Sequence, residues 1–206
     1  MKNKIGQIAL ILAVLQVLLV LVSWLVTAAY PDLSIRSLLS GEGTRWFFSH
    51  FIDNVTTKFL VWILLGTIAY GALTTSGLLG VIFKSAKLYF HFGKLHYRER
   101  IGLRMVLIEL FIFIIIAVML TAFPQAVLLS ITGSLFPSSF SEGLYPYVTF
   151  AMIVCGLTYG VAAGHIKTTV QAYDTLSSGL VICAKLFPLY ILGCELFYSI
   201  LFVFQL

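Results

Sequence analysis

KSAKLYFHFGKLHYRERIGLR, residues 84–104, carries Lys84, Lys87, Lys94, Arg98, Arg100 and Arg104 against a single acid, Glu99. Long apolar runs precede and follow it, so it reads as a basic loop between membrane spans. Loops rich in Lys and Arg stay on the cytoplasmic side, and these six residues therefore set the direction of every other span. The composition agrees: 60% of the 206 residues are hydrophobic and 10% charged, with a mean hydropathy of +1.03. A soluble domain is about 25% charged and about 45–50% apolar. The chain reads as an integral membrane protein whose first partner is the lipid bilayer. Its net charge of +5 does not imply nucleic acid, because the positives gather beside spans, where orientation and anionic headgroups explain them.

Working outward, Ile5 to Ala29 is uncharged and follows Lys2 and Lys4. A signal peptide has an apolar region of about 7–15 residues, whereas a span needs about 20. This run is predicted to be an uncleaved first helix that leaves the cytoplasm. Pro31 ends it and opens an outside loop, residues 30–58, with Arg36, Arg45 and Lys58 balanced by Asp32, Glu42 and Asp53. Within that loop Phe47, Phe48, Phe51, Ile52, Val55 and Phe59 recur at helical spacing. Ser49, His50, Asp53, Asn54 and Thr57 take the other face, the pattern of an amphipathic helix lying in the interface. His50 near Asp53 reads as part of a solvated face.

Four further spans follow, at about 59–83, 105–129, 147–164 and 179–204. Residues 59–83 are rich in small side chains, which let helices approach closely. An unwound, substrate-lining segment is the alternative reading of that run. Gly156, Gly160 and Gly164 fall four apart and stripe one face, a helix-contact pattern in lipid. Glu109 lies near the inner end of its span and reads as snorkelling toward Arg104 or water. Glu195 is harder to excuse: sixteen residues past Gly179, it stands about 24 Å up its helix. An acid inside a span is a functional candidate by default.

The topology with the N-terminus cytoplasmic and the C-terminus outside places Lys2, Lys4, the six basic-loop residues, Lys167 and Lys185 inside. Only Arg36, Arg45 and Lys58 fall outside, as the rule requires. The three cysteines, Cys155, Cys183 and Cys194, lie in apolar runs and imply neither a disulfide framework nor a metal site. His91 and His96 are five apart, which places them on different parts of a helix, and no acid or cysteine completes a metal set. No paired-carboxylate, Ser-Lys or metal-ligand constellation sits at workable spacing in the spans, so neither an enzyme nor a cofactor is expected.

Two stretches carry a family likeness. Ile35-Arg-Ser-Leu-Leu-Ser-Gly-Glu-Gly-Thr-Arg-Trp46, followed by Phe51, Asn54 and Ser76-Gly77-Leu78-Leu79, resembles the first outside loop and second span of the p-aminobenzoyl-glutamate transporter (AbgT) family. Gly156-Leu-Thr-Tyr-Gly-Val-Ala-Ala-Gly164, with His165-Ile-Lys-Thr and Asp174, resembles that family's mid-chain Y-G-x-x-x-G-x-I-K segment. The resemblance implies a multi-pass protein of a bacterial-type cytoplasmic membrane and a small aromatic carboxylate, a folate precursor, as substrate, moved by proton-coupled efflux. Family members are much longer and carry re-entrant hairpins with polar, aspartate-bearing tips. No such segment reads between Arg104 and Tyr147, so the likeness covers scaffold spans without that transport core, and it lends Glu195 no role.

The expectation is an all-α integral membrane protein of about five spans plus an interfacial helix. Glu195 and Asn54 are its candidate transport or proton-coupling residues, and Gly156, Gly160 and Gly164 its packing residues. Two functions stay open: a transporter, or a scaffold or accessory subunit acting as a homodimer or with a second membrane protein.

Overall fold

A computed structural model of the chain describes residues 2–87, 96–122 and 138–205. Among them are eight helices and no strand: α1 (Lys2–Ala29), α2 (Gly41–Val55), α3 (Lys58–Thr75), α4 (Leu78–Lys87), α5 (Tyr97–Ala122), α6 (Ser139–Ala163), α7 (Thr169–Cys183) and α8 (Leu186–Phe204). Five of them, α1, α3, α5, α6 and α8, are long and apolar enough to cross a membrane, consistent with a multi-pass membrane protein. The chain forms two compact units, Met1–Val61 with Cys183–Leu206, and Trp62–Ile182.

In the first unit α1 and α8 pack side by side, with α2 laid along α8. Leu38, Phe202 and Val203 form a small core, with Leu19, Val20, Ile35 and Trp46 packed on it. The Trp46 and Phe202 rings stack at 4.3 Å between centroids. Near the end of α8 the Val203 carbonyl accepts the backbone N–H of Arg36 at 3.0 Å. At the start of α2 the Ser40 hydroxyl accepts the Gly43 N–H at 3.0 Å. A serine cap of this kind is worth about 1 kcal/mol.

That arrangement corrects one expectation. The amphipathic helix exists, but its contact is α8, and its buried residues are Gly43 and Asn54. Phe48 and Ile52 are exposed. The sequence pattern assigned Asn54 to a solvated face. In the fold, α8 turns a carboxyl toward α2, so the amide is the side chain that goes inside, and the apolar stripe is left for surroundings outside this unit.

The second unit is built on close approaches between α3, α6 and α7. A β-carbon at Gly179 would overlap the Thr67 carbonyl, and one at Gly71 would overlap the Gly179 backbone. One at Gly156 would come 2.9 Å from the Ala72 carbonyl oxygen. Beside these crossings Leu73, Leu78, Val81, Leu103, Val106, Cys155 and Tyr159 form the buried apolar cluster.

Three predicted spans are redrawn. The second, expected to run unbroken over 59–83, stops at Thr75 and restarts at Leu78. Gly77 between them has φ +84°, a left-handed conformation that only glycine takes without strain. The freed Ser76 carbonyl is met by Nδ1 of His165 at 2.7 Å. The fifth, expected from 179 to 204, divides into α7 and α8 around Ala184 and Lys185, so Lys185 flanks a break. The fourth begins at Ser139, because Ser138 and Ser141 exchange backbone and side-chain hydrogen bonds at 3.0 and 3.3 Å as a capping box. Serines that read as loop chemistry therefore start a helix. His91 and Lys94 lie outside the described residues.

Gly179→Ala is expected to lower the thermal midpoint of the detergent-purified protein by the equivalent of about 1–3 kcal/mol, the cost of overpacking. Gly80→Ala, where a β-carbon meets nothing within 4 Å, is expected to leave it unchanged or slightly raised. Melting followed by loss of the monodisperse elution peak compares the two.

Candidate functional site

The sequence singles out Asn54 and Glu195 at positions 141 residues apart, and the first unit sets them against each other. Glu195 lies nine residues from Leu186 and nine from Phe204, the ends of α8, hence about 14 Å of rise from either. Counting from Gly179 placed it closer to the outer end. The break before Leu186 moves it to the middle of the helix. Its side chain is 6% exposed and that of Asn54 is 5% exposed. The Asn54 amide faces the carboxyl across the α2–α8 contact. The contact is loose: the amide is near enough to act on the carboxyl, but no well-formed hydrogen bond reaches either Glu195 oxygen or Asn54 Nδ2.

Two residues that sequence reading passed over extend the site. Ser199, one turn beyond Glu195 on the same face of α8, is fully buried, and its hydroxyl accepts Nε2 of Gln16 from α1 at 2.9 Å. Gln16 Oε1 is buried and unpartnered. Gln16 stands near the midpoint of the Lys4–Ala29 span. Its signal was available, a lone amide in an apolar run, but a search restricted to charges does not see it. Ser199 was detectable as the i+4 neighbour of the acid.

One turn below, the Tyr190 hydroxyl donates to the Val55 carbonyl at 2.9 Å and contacts the Thr57 hydroxyl. That satisfies the end of α2 and holds Asn54 at its level. Three helices thus converge on a polar seam of Gln16, Asn54, Glu195 and Ser199. An amide suits such a place, because it donates to a carboxylate through Nδ2 and accepts from a protonated carboxyl through Oδ1. The seam can therefore complement Glu195 with or without its proton.

The other nominated residues lie elsewhere. Gly156 and Gly160 both lie at close approaches: a β-carbon on Gly160 would come 2.9 Å from Ile166 Cγ1 and 3.2 Å from Ser76 Cβ. Gly164 departs from the stripe. With φ 82° it is the left-handed cap of α6, and Arg98 Nη1 lies 2.9 Å from where its β-carbon would stand. Lys84 belongs to α4, which ends at Lys87, while Arg98, Arg100 and Arg104 occupy the first turns of α5. The basic stretch is thus partly helical. Glu109 does not snorkel: Thr158 of α6 donates to its Oε1 at 2.6 Å, and its Oε2 is buried without a partner. His50 is exposed and meets the Ser49 hydroxyl at 2.8 Å. Among the described residues no group of three or more His, Cys, Asp or Glu side chains could hold a metal ion.

Comparison of the chain with protein-family models, with curated proteins and with solved structures finds no match. The class defined by fold and site is accordingly an all-helical chain with five candidate membrane spans and a buried, unsatisfied carboxyl at the centre of one of them.

Leaving a buried polar group unsatisfied costs about 1–3 kcal/mol, so Glu195 weakens the first unit. Glu195→Met, similar in length and volume, is expected to raise the thermal midpoint by an amount in that range. A large fall instead would mean that the carboxyl is held by a stabilising partner.

Proposed function

We propose that the protein is a transporter in which Glu195 carries the coupled proton, in a bacterial-type cytoplasmic membrane with the N-terminus inside. The observation that supports this is the mid-helix carboxyl, 6% exposed, with no hydrogen bond to either oxygen. A protein does not keep such a group for stability, and acids inside spans mark ion and proton pathways. Asn54 and Gln16 are the neighbours that answer its two protonation states, and both breaks flanking the seam, at 56–57 and 184–185, are where a transport protein concentrates its irregular backbone. The resemblance of the Ile35–Trp46 and Gly156–Gly164 stretches to the AbgT family supplies the substrate class, a small aromatic carboxylate of the p-aminobenzoyl-glutamate or folate-precursor kind, moved outward.

A second reading is a scaffold or accessory subunit, paired with itself or with another membrane protein. It draws on α1, of whose span only 6% is buried within the chain.

Proteoliposomes holding only this protein separate the two. Labelled p-aminobenzoyl-glutamate is expected to move under a pH gradient, and Glu195→Gln at equal protein level is expected to bring the gradient-driven rate down to that of empty vesicles. Flux that keeps its gradient dependence in Glu195→Gln removes the acid from the mechanism. No flux from folded protein favours the accessory subunit.

A further inference from the structure

Residues 62–182 hold a cavity of about 520 Å³. Its walls come from α3, α4, α5 and α6 and include Leu73, Leu78, Phe113, Tyr147, Met152 and Cys155. They are apolar throughout, and the Tyr147 hydroxyl is engaged by the Phe113 carbonyl. Among the described residues, the carboxyl beside this space is that of Glu109. Val106 and Leu110, which flank Glu109 on α5, both line the cavity, as does Cys155 on the facing turn of α6. The Cys155 thiol lies against the Glu109 carboxyl. Thr158 occupies Oε1, while Oε2 is buried and unpartnered. Only the small, rotatable Cys155 side chain, a weak thiol donor in reach of the carboxyl, therefore stands between Oε2 and the apolar cavity.

The geometry points to a second ligand site, in which this cavity takes a lipophilic amine whose body fills the apolar walls and whose N–H donor reaches Glu109 past Cys155. A hydrocarbon tail from the bilayer fits the walls but brings no donor, and would leave Oε2 as it is. A hydrophilic cation satisfies the acid but gains nothing from the walls. An amine on an aromatic or alkyl body answers both, since a hydrogen bond to a charged group is among the stronger ones and apolar burial adds to it. The site is separate from Glu195 and does not depend on proton coupling there.

The test is equilibrium binding of radiolabelled 4-phenylbutylamine to the purified full chain, with n-butylbenzene as the neutral counterpart. Saturable amine binding is expected. Glu109→Gln is expected to weaken it about tenfold or more, the loss of a charge-assisted hydrogen bond. Cys155→Phe, which places a ring between the cavity and Glu109, is expected to abolish it. Thr158→Val keeps the acid but frees its second oxygen, and is expected to hold or tighten binding. It serves as the deciding variant if Glu109→Gln does not fold. Amine binding unchanged by Glu109→Gln, butylbenzene binding as tightly as the amine, or loss of binding in Thr158→Val would each overturn the assignment.

Discussion

Where a helix is interrupted in apolar surroundings, the backbone groups it frees cannot be hydrated and must find partners within the chain. Much of this fold follows from that requirement. The Ser76 carbonyl, released where α3 stops, is met by His165 from the loop after α6. The Val55 carbonyl at the end of α2 is met by Tyr190 of α8. The Val203 carbonyl near the end of α8 is met by the backbone of Arg36. Each bond joins segments distant in sequence, so the places where helices end are also the places where each unit is tied together. Glu195 takes no part in any of these bonds.

The two acids at mid-helix positions illustrate the difference. Glu109 is held by a hydroxyl on the facing helix and helps bind α5 to α6. Glu195 has an amide opposite it and another one turn away, yet neither closes a hydrogen bond. In lipid, interhelical hydrogen bonds average well under 1 kcal/mol, so the Thr158 contact contributes modestly to packing. An unpartnered carboxyl contributes nothing and costs about 1–3 kcal/mol.

Much of the helical layout was legible in the sequence because long apolar runs report spans directly, and all five candidate spans overlap those runs. The breaks were not legible. Ser76-Gly77 and Ala184-Lys185 lie inside or beside apolar stretches, where average hydropathy barely changes. At Ser76-Gly77 the break depends on a positive φ at one glycine and an imidazole 89 positions away. For the same reason Gly164 read as a third member of a stripe, although its left-handed backbone makes it a cap. The site was half legible. Glu195 announces itself as a charge in an apolar run, and Asn54 was noticed on other grounds. Their adjacency depends on α2 lying along α8, which helical periodicity cannot specify. Periodicity located the two faces of α2 but could not show that Asn54, on the polar face, is buried, because it cannot know that the neighbour offers a carboxyl.

The bond between Gln16 and Ser199 joins residues 183 positions apart, and it has a consequence for biogenesis. The chain is made from its N-terminus, so α1 is synthesised long before α8 exists. Throughout that interval the Gln16 amide has no Ser199 to bind and α1 has no α8 to pack on. The first unit can close only when the ribosome has delivered α8, whereas Trp62–Ile182 is complete beforehand. The order of synthesis thus makes the helix that carries Glu195 the last piece to become available, and the seam around it cannot close before then.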